Sequence, residues 1–272
     1  MREIDIGAER LVSALLASAE YEQVCILDSC GVGHLGSHLL IAGVRPVESF
    51  EISGNVDETL GRLDGKLSQN AVATFFTLSS EFGRKLQRFP AVPGREPDLF
   101  AACFDCLVVH DYDSKKTFLT GNSERFDEIY SLLSKREYRP RLAAENSKIL
   151  SNFTQEEYLC AIATIKELIR NGDTYQTNLT QQFTVKMPDG LQAADIFFRI
   201  RRDHPAPFSA FFRRKGSTVV SASPERFFRV DRNNLIFASP IKGTRPRGDT
   251  ADEDAELRRD LLSSEKDRAE NT

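Results

Sequence analysis

The sequence predicts a mixed α+β fold, and three observations lead to that prediction. Runs of β-branched and aromatic residues, separated by Gly, Pro and Asp, dominate roughly the first half of the chain. Segments with helical spacing fall between the strands at irregular intervals, which does not fit the regular alternation of a doubly wound parallel sheet. The composition, with 40% hydrophobic and 28% charged residues, is that of a globular protein. We therefore expect mixed or antiparallel sheets covered by outer helices.

The first region of the chain, residues 1–145, is predicted to be rich in strands. Its strands are expected at EQVCILDS, HLLIAGV, ATFFTLSS, AACFDCLVVHDY and KTFLTG. The segment ETLGRLDGKLSQ between them is expected to form an amphipathic helix. The polar, basic stretch SKREYRPRLAAENSKILSN then predicts a linker, so the second region is expected to run from residue 146 to residue 272.

The second region begins with a strong helix signal. Thr154 and Glu157 form a T-x-x-E capping box ahead of apolar residues at helical spacing, and Gly172 stands where such a helix would end. A strand at TYQTNLTQQFTVKM and a helix at LQAADIFFRIRR are expected next. Three strands, FSAFFRR, STVVSASPERFFRV and NLIFASPI, are expected to follow.

The end of the chain carries two further helix caps. Thr250 with Glu253 is expected to open the helix ADEDAELRRDLL, and Ser264 is expected to open EKDRAENT. The sequence stops inside that last helix, whereas natural domains rarely end there without a cap or a polar tail. We therefore expect a C-terminally truncated chain and an incomplete fold.

Charge and hydropathy exclude several classes of function. The net charge of −4 and the isoelectric point near 5.7 provide no general attraction to nucleic acid or to an anionic membrane. The N-terminus, MREIDIGAERLVSALL, carries charges where a signal peptide requires an unbroken apolar stretch. Nor does the sequence contain a run of about 18 apolar residues. We expect a soluble cytoplasmic protein.

Cys103 and Cys106 form a C-x-x-C motif, which is typical of redox and zinc sites. Both lie in a predicted strand, where positions three apart face opposite ways. A second C-x-x-C or a His pair to complete a tetrahedral zinc site does not follow. Reduced cysteines that pack in the core are the preferred interpretation.

Gly31, Gly33 and Gly36 form a G-x-G-x-x-G motif, the pattern of dinucleotide-binding loops, with Glu51 as a conceivable ribose ligand. That function requires a helix to begin after the motif, so that its N-terminal amides meet the pyrophosphate. The following segment, SHLLIAGVRPVESFEI, has the composition of strands. The motif therefore predicts a glycine-rich turn between two strands, and we reject a role in binding NAD.

Residues 239–248 read SPIKGTRPRG and follow a predicted strand. Three positive charges lie together there, and Gly243 and Thr244 can offer N–H and hydroxyl groups to a carboxylate. On an acidic protein, such a cluster suits a small anionic substrate. A solvated basic loop is the alternative interpretation.

Glu225, in SASPERF, is expected at the start of a strand that pairs with the strand ending at Lys242. A carboxylic acid and a lysine in one pocket can supply a general acid and a nucleophile. For Glu225 the alternative is a surface ion pair.

The blocks GDTYQTNLTQQF, SASPERF, PIKGTRPRG and EKDRAEN occur in this order, at matching spacing, in chorismate-binding synthases, and the chain resembles that family over nearly its whole length. The resemblance implies the chorismate-utilising synthase fold. It also assigns residues 1–145 to a region like that of anthranilate synthase component I, and residues 146–272 to the first part of the chorismate-binding catalytic domain.

Two positions separate the subfamilies. Lys242 stands where aminodeoxychorismate synthases carry Lys and where anthranilate and isochorismate synthases carry Ala. Gln176 matches enzymes that use ammonia. The resemblance therefore implies the large subunit (component I) of an aminodeoxychorismate synthase, a transferase of p-aminobenzoate and folate biosynthesis.

The family mechanism implied by the resemblance gives these residues roles. Lys242 would attack C2 of chorismate, Glu225 would protonate the departing C4 hydroxyl, and Arg245 and Arg247 would lower the pKa of the lysine. A separate glutamine amidotransferase subunit would supply ammonia. The Mg²⁺ cofactor would bind glutamates in the missing C-terminal part, so no metal ligand is assigned here and the isolated chain is expected to be inactive.

The family also has a non-catalytic pocket for tryptophan. The matching positions are Ser29, Gly36, Ser37, His38, Leu39, Pro207, Phe208 and Ser209. The glycine-rich CGVGHLG replaces bulkier residues there, so ordinary core packing is the alternative. For the whole protein, the alternatives are an anthranilate synthase component I and an inactive truncated fragment.

Overall fold

The computed structural model describes residues 1–33, 38–67, 72–90, 94, 96–141 and 148–271. The chain separates into two compact units, one formed by Met1–Arg139 together with Ile196–Thr272 and the other by Pro140–Asp195. The regions 1–145 and 146–272 that the sequence suggests are therefore not these two units, because residues from 196 onward return to the first one. The functional assignment of those two regions stays a prediction.

The strands follow one another along the chain as β1 (Arg2–Ile4), β2 (Val24–Asp28), β3 (Leu39–Val44), β4 (Glu48–Ile52), β5 (Ala73–Leu78), β6 (Leu99–Phe104), β7 (Cys106–Asp111), β8 (Lys116–Gly121), β9 (Ile149–Ser151), β10 (Phe183–Val185), β11 (Phe208–Arg213), β12 (Thr218–Ser223), β13 (Arg229–Val230) and β14 (Ile236–Phe237). The helices are α1 (Ala8–Ser18), α2 (Val56–Leu67), α3 (Ser80–Leu86), α4 (Phe126–Lys135), α5 (Gln155–Asn171), α6 (Ala193–Asp203), α7 (Ala251–Ser263) and α8 (Glu265–Glu270). None of the helices in the described ranges combines the length and apolar character needed to span a membrane.

The first unit is built on a seven-stranded sheet with the order β1-β8-β7-β3-β2-β11-β12. Every neighbouring pair in it is antiparallel. A second antiparallel sheet has the order β4-β6-β5. The predicted α+β class with antiparallel sheets is confirmed. Strand β3 follows the glycine-rich segment as the direct antiparallel neighbour of β2, so the prediction that the motif lies between two strands is confirmed.

The segment AACFDCLVVHDY, expected as one strand, is two strands in different sheets. Strand β6 belongs to the small sheet and β7 to the large one, and the chain turns between them at Asp105. The Asp105 carboxylate accepts hydrogen bonds from Asn122 Nδ2 (3.1 Å) and Arg125 Nη1 (2.9 Å), which fix the corner. Cys103 and Cys106 therefore lie on separate strands, buried and free, which confirms their interpretation as reduced core cysteines.

Aromatic side chains fill the space between the two sheets. The cluster consists of Cys25, Phe75, Phe100, Ala102, Phe104, Leu107 and Phe212. Phe75 meets the rings of Phe104 and Phe212 edge-on, at centroid distances of 5.3 and 5.9 Å, the arrangement that the ring quadrupoles favour. Because Phe212 lies in β11, a residue from the second half of the sequence completes the core that residues of the first half form.

Gly43, in β3, provides the space into which the Phe104 ring packs. A Cβ atom at position 43 would lie 2.5 Å from Cγ of Phe104, a side chain with no exposed surface. We expect Gly43→Ala to lower the free energy of unfolding by roughly 1–3 kcal/mol, as overpacking of a filled core does. Gly61→Ala is the matched control, since a Cβ at Gly61 in α2 has no neighbour within 4 Å. The free energy of unfolding of both variants is measured by chemical denaturation. If Gly43→Ala is as stable as Gly61→Ala, Gly43 does not have this packing role.

Helix signals in the sequence are confirmed where side chains cap the helix. The Thr154–Glu157 box is formed in both directions, and Gly172 ends α5 with a φ of 81°. In the second box, Thr250 accepts the Glu253 N–H at the start of α7. Helix α1 was not foreseen, because Gly7 precedes it without any side-chain cap.

Two long strands expected in the C-terminal part are much shorter in the structure. STVVSASPERFFRV forms β12 and, after a break at Pro224, the two residues of β13, while NLIFASPI contributes only β14. Apolar side chains around this hairpin are exposed, among them Phe227 at 87% and Ile236 at 71%. Strands β13 and β14 pair only with each other, so their short extent reflects the lack of further pairing partners in the described residues.

Candidate functional site

Glu225 and Lys242 flank the hairpin β13–β14, one before its first strand and the other after its second. Arg229 pairs with Phe237 in antiparallel register, and pairing stops there. Glu225 lies four residues before that pair and Lys242 five residues after it. If the register continued, Glu225 would stand opposite Ile241, next to Lys242. The pairing that the structure shows ends before either residue is reached, so their meeting in one pocket stays a prediction.

The backbone at Glu225 is held while its carboxylate is left available. The Glu225 N–H donates to Ser223 Oγ (3.3 Å), and the Ser223 hydroxyl donates to the Glu225 carbonyl (2.8 Å). Within the part of the chain that the structure describes, neither the Glu225 carboxylate nor Lys242 takes part in an ion pair. The alternative of a surface ion pair for Glu225 is thus not formed, and both groups can meet a ligand.

The two arginines of the basic loop are already paired. Arg247 binds both carboxylate oxygens of Asp254, with Nε at 2.5 Å and Nη2 at 2.8 Å. Arg245 donates to Asp260 and lies 3.4 Å from Asp267. Hydrogen bonding from Arg247 lowers the pKa of Asp254, so this carboxylate is ionised near neutral pH.

This pairing corrects the expectation that three free positive charges attract the substrate and that both arginines lower the pKa of Lys242. Each guanidinium is offset by a carboxylate of α7 or α8, so its field at the lysine is weakened. Within the described residues, Lys242 is the cation of this loop that carries no counter-ion. A ligand carboxylate would therefore meet Lys242 rather than a threefold basic cluster.

Two glycines of the basic loop, Gly243 and Gly248, allow the loop backbone to approach helices α7 and α8 closely. Gly243 has a φ of 74°, in the left-handed region, and a Cβ there would lie 2.6 Å from Cγ of Asp267. Gly248 packs against the first turn of α7, and its N–H donates to Asp254 Oδ1 (3.1 Å). Whether Gly243 and Thr244 also offer their N–H groups to a substrate stays a prediction.

Gln176 lies in the second compact unit, in the segment between α5 and β10. Its carbonyl accepts a hydrogen bond from Thr174 Oγ1 (3.2 Å), and its side chain is exposed. Its assignment to the substrate site also stays a prediction.

The positions matched to the tryptophan-type pocket gather at the ends of three neighbouring strands. Ser29 donates its N–H to the Leu39 carbonyl (3.0 Å), which closes the end of β2 and β3. Ser209, in β11, pairs across to Asp28 in β2, and Pro207 and Phe208 precede it along the same strand end. His38 Nδ1 contacts Asp113 (2.6 Å). Gly36 and Ser37 lie outside the described residues.

A buried ion pair occupies the same strand ends, and sequence reasoning did not foresee it. The Asp28 side chain has no exposed surface and accepts hydrogen bonds from Arg201 Nε (2.8 Å) and from the Tyr112 hydroxyl (2.7 Å). Arg201 extends the pair to Glu9 in α1. Burial next to the Asp28 charge raises the pKa of Tyr112, so this phenol stays protonated as a donor. No local signal predicts a pair whose partners are 173 residues apart.

His110 is buried next to this cluster in its neutral form. Thr117 donates its hydroxyl hydrogen to the Ile6 carbonyl, so the Thr117 oxygen accepts from His110 Nδ1 (2.8 Å). Burial lowers the pKa of His110 below its usual value near 6.5. A neutral buried histidine contributes stability above the unfolded-state pKa, and that stability is lost as the pH falls toward the folded-state pKa.

We therefore expect the protein to lose stability on acidification from pH 7 to pH 5, and His110→Gln to lose less of it because the amide does not titrate. Glu22 and Glu128, whose pKa values Arg45 lowers from their ordinary value of 4.5, add a loss of stability at still lower pH that the wild type and His110→Gln share. The exposed His204→Gln is the control and should follow the wild type. Denaturant unfolding at each pH gives the free energies, and parallel curves for all three proteins would contradict the role of His110.

A metal centre is not formed by the residues that the structure describes, since no group of three or more His, Cys, Asp or Glu side chains has a suitable arrangement there.

Comparison with known proteins gives one consistent family. The family model described as "chorismate binding enzyme" matches residues 22–272. The chain is 41% identical to a protein from Haloarcula marismortui named anthranilate synthase component 1 3, a match that covers 84% of this chain and 53% of that protein. It is 32% identical to aminodeoxychorismate synthase component 1 from Escherichia coli K12, covering 70% of this chain and 42% of that protein.

The fold has a counterpart of known structure. The crystal structure of anthranilate synthase component I from Streptococcus pneumoniae TIGR4 superposes with a TM-score of 0.68, at 19% identity, over 88% of this chain and 60% of that chain. At this identity the likeness shows the fold alone, and it confirms the chorismate-utilising synthase fold. The chain spans about half the length of the curated relatives that it matches.

Proposed function

This chain belongs to the family of chorismate-binding enzymes, and we propose that it is part of the large subunit of a glutamine-dependent synthase that forms 4-amino-4-deoxychorismate from chorismate and ammonia. The observation that carries the proposal is Lys242. It stands in the P-I-K-G-T block, at the position where aminodeoxychorismate synthases also carry Lys. Its side chain is exposed and has no counter-ion in the described part of the chain. Gln176, in the block typical of ammonia-using members, supports an amination, and Lys242 carries the choice between the two amination products.

In the proposed reaction, the neutral amine of Lys242 adds to C2 of the chorismate ring. The two conjugated double bonds of the ring shift by one position each, and the C4 hydroxyl departs as water with a proton from Glu225. Ammonia then adds to C4, both double bonds shift back, and the bond between C2 and the lysine nitrogen breaks. The net change replaces the C4 hydroxyl by an amino group and releases water.

The proposed nucleophile must lose its proton before it attacks. Because Arg245 and Arg247 are paired with carboxylates, like-charge repulsion from them is weak. Removal of water when the substrate covers Lys242 is the remaining effect that favours the neutral amine. Gly243 and Thr244 are proposed to hold a substrate carboxylate from the adjoining backbone. Mg²⁺, the cofactor implied by the resemblance, would neutralise substrate charge, with ligands supplied from outside the residues described.

The partner of this subunit is proposed to be a glutamine amidotransferase that delivers ammonia. The name of the E. coli relative, component 1, implies a second component of that protein. With the partner present, glutamine should support the reaction, and without it only ammonium salts should do so.

Formation of anthranilate is the second candidate function, and the name of the Haloarcula relative favours it. The two are separated by product analysis of the complete synthase, meaning this chain together with the polypeptide that completes the family fold. Incubation with chorismate, ammonium and Mg²⁺, followed by chromatography and mass spectrometry, should yield aminodeoxychorismate. Release of anthranilate would replace the proposal by the alternative, and the absence of both products would reject it. The 272-residue chain alone is expected to be inactive.

A further inference from the structure

The carboxylate of Asp267 contacts the turn that immediately follows Lys242. Gly243 in that turn has a φ of 74°, and the position of a Cβ on it would fall 2.6 Å from Cγ and 2.9 Å from Cβ of Asp267. Two residues further along, Arg245 Nη1 lies 3.4 Å from Asp267 Oδ2. The Asp267 side chain is only 14% exposed. It therefore packs against the loop backbone and pairs with a guanidinium of the same loop.

Asp267 is itself held in place. Its N–H donates to the Ser264 hydroxyl (3.3 Å), the cap that begins α8. Arg245 reaches α7 as well, because it also donates to Asp260. The start of the loop is thus fastened to two helices. The end of the loop is fastened independently, by Arg247 and Gly248 to Asp254.

We propose that Asp267 is a positioning residue for Lys242, acting through the Gly243 turn and through Arg245. The proposal rests on the proposed role of Lys242 as the nucleophile. A lysine side chain has four rotatable bonds, and the direction in which it leaves the backbone is the part that the fold can fix. The left-handed turn at Gly243 sets that direction, and Asp267 prevents the turn from relaxing. A displacement of about 1 Å at a reacting group can lower a rate about 100-fold.

Kinetics of the complete synthase provide the first test. We expect Asp267→Ala to lower kcat about 10- to 100-fold with little change in KM for chorismate, since substrate contacts remain. Asp267→Asn should fall between this variant and the wild type, because it keeps the contact with Gly243 and loses the charge that pairs with Arg245. Asp252→Asn, an exposed position in the first turn of α7, is the control of equal charge change. Unchanged kcat in Asp267→Ala would overturn the proposal.

Limited trypsin digestion of the chain tests the ordering of the loop without reference to activity. Trypsin cleaves after Lys242 at the start of the loop and after Arg247 at its end, and Pro246 protects the bond after Arg245. We expect Asp267→Ala to speed cleavage at Lys242–Gly243 about 10-fold relative to Arg247–Gly248, through local opening of the loop. Asp254→Ala should do the reverse. Equal rates at the two bonds in all variants would overturn the proposal.

The two experiments also separate this proposal from the proposed function. Loss of kcat in Lys242→Ala with normal kcat in Asp267→Ala overturns the positioning role and keeps the nucleophile. Normal turnover in Lys242→Ala overturns both, even if Asp267→Ala is cleaved faster, because an ordered loop would then position a residue that the reaction does not use.

Discussion

In the complete synthase, Lys242→Ala is expected to lower the formation of aminodeoxychorismate by several orders of magnitude, as the loss of a nucleophile does. The fold should remain intact, since Lys242 is exposed and outside the core. Neither of the loop arginines can replace it, because both are held by carboxylates of α7 and α8. Turnover is measured by product chromatography, and the fold by thermal melting.

The matched control is Lys215→Ala, which removes the same charge from the exposed turn between β11 and β12. In the wild type, a covalent adduct of chorismate on Lys242 should be detectable by mass spectrometry after rapid quenching, and it should be absent from the Ala variant. Turnover of Lys242→Ala at the level of the control would show that this lysine is not the nucleophile.

Glu225→Gln is expected to slow the reaction by a factor of roughly 10² to 10⁴, the usual contribution of a general acid, while chorismate still binds. The amide has nearly the same size as the acid, but it cannot donate a comparable proton to the departing hydroxyl. The backbone at position 225 should be unaffected, because its hydrogen bonds to Ser223 involve main-chain atoms. The measurement is kcat as a function of pH, together with binding of chorismate by calorimetry.

Glu256→Gln, an exposed substitution in α7, controls for the loss of one carboxylate. The rate of adduct formation also distinguishes a general acid from a structural residue at position 225. As a general acid, Glu225 acts in the step in which the C4 hydroxyl leaves and the adduct forms, so Glu225→Gln should slow that step. If Glu225→Gln keeps the kcat of the wild type at every pH, Glu225 has only a structural role.

Much of the fold follows from local chemistry in the sequence. Strands β2, β3, β5, β8 and β11 lie where β-branched and aromatic runs predict them, and helices α5, α7 and α8 begin at their predicted caps. Such signals are local because a cap or an alternating strand is defined by residues a few positions apart. The four sequence blocks also identify the family, since their residues and order suffice without any coordinates.

The contacts that set the chemistry of the site were decided by the tertiary structure. The sequence shows three cations near residue 242, but only the folded chain pairs Arg245 and Arg247 with carboxylates and leaves Lys242 exposed. It likewise shows one apolar run from 99 to 111, whereas the fold turns it at Asp105 into two sheets. The burial of Arg201 against Asp28 joins residues far apart along the chain. Charge pairing and sheet membership depend on which distant segments meet in space, and no local pattern of residues records that.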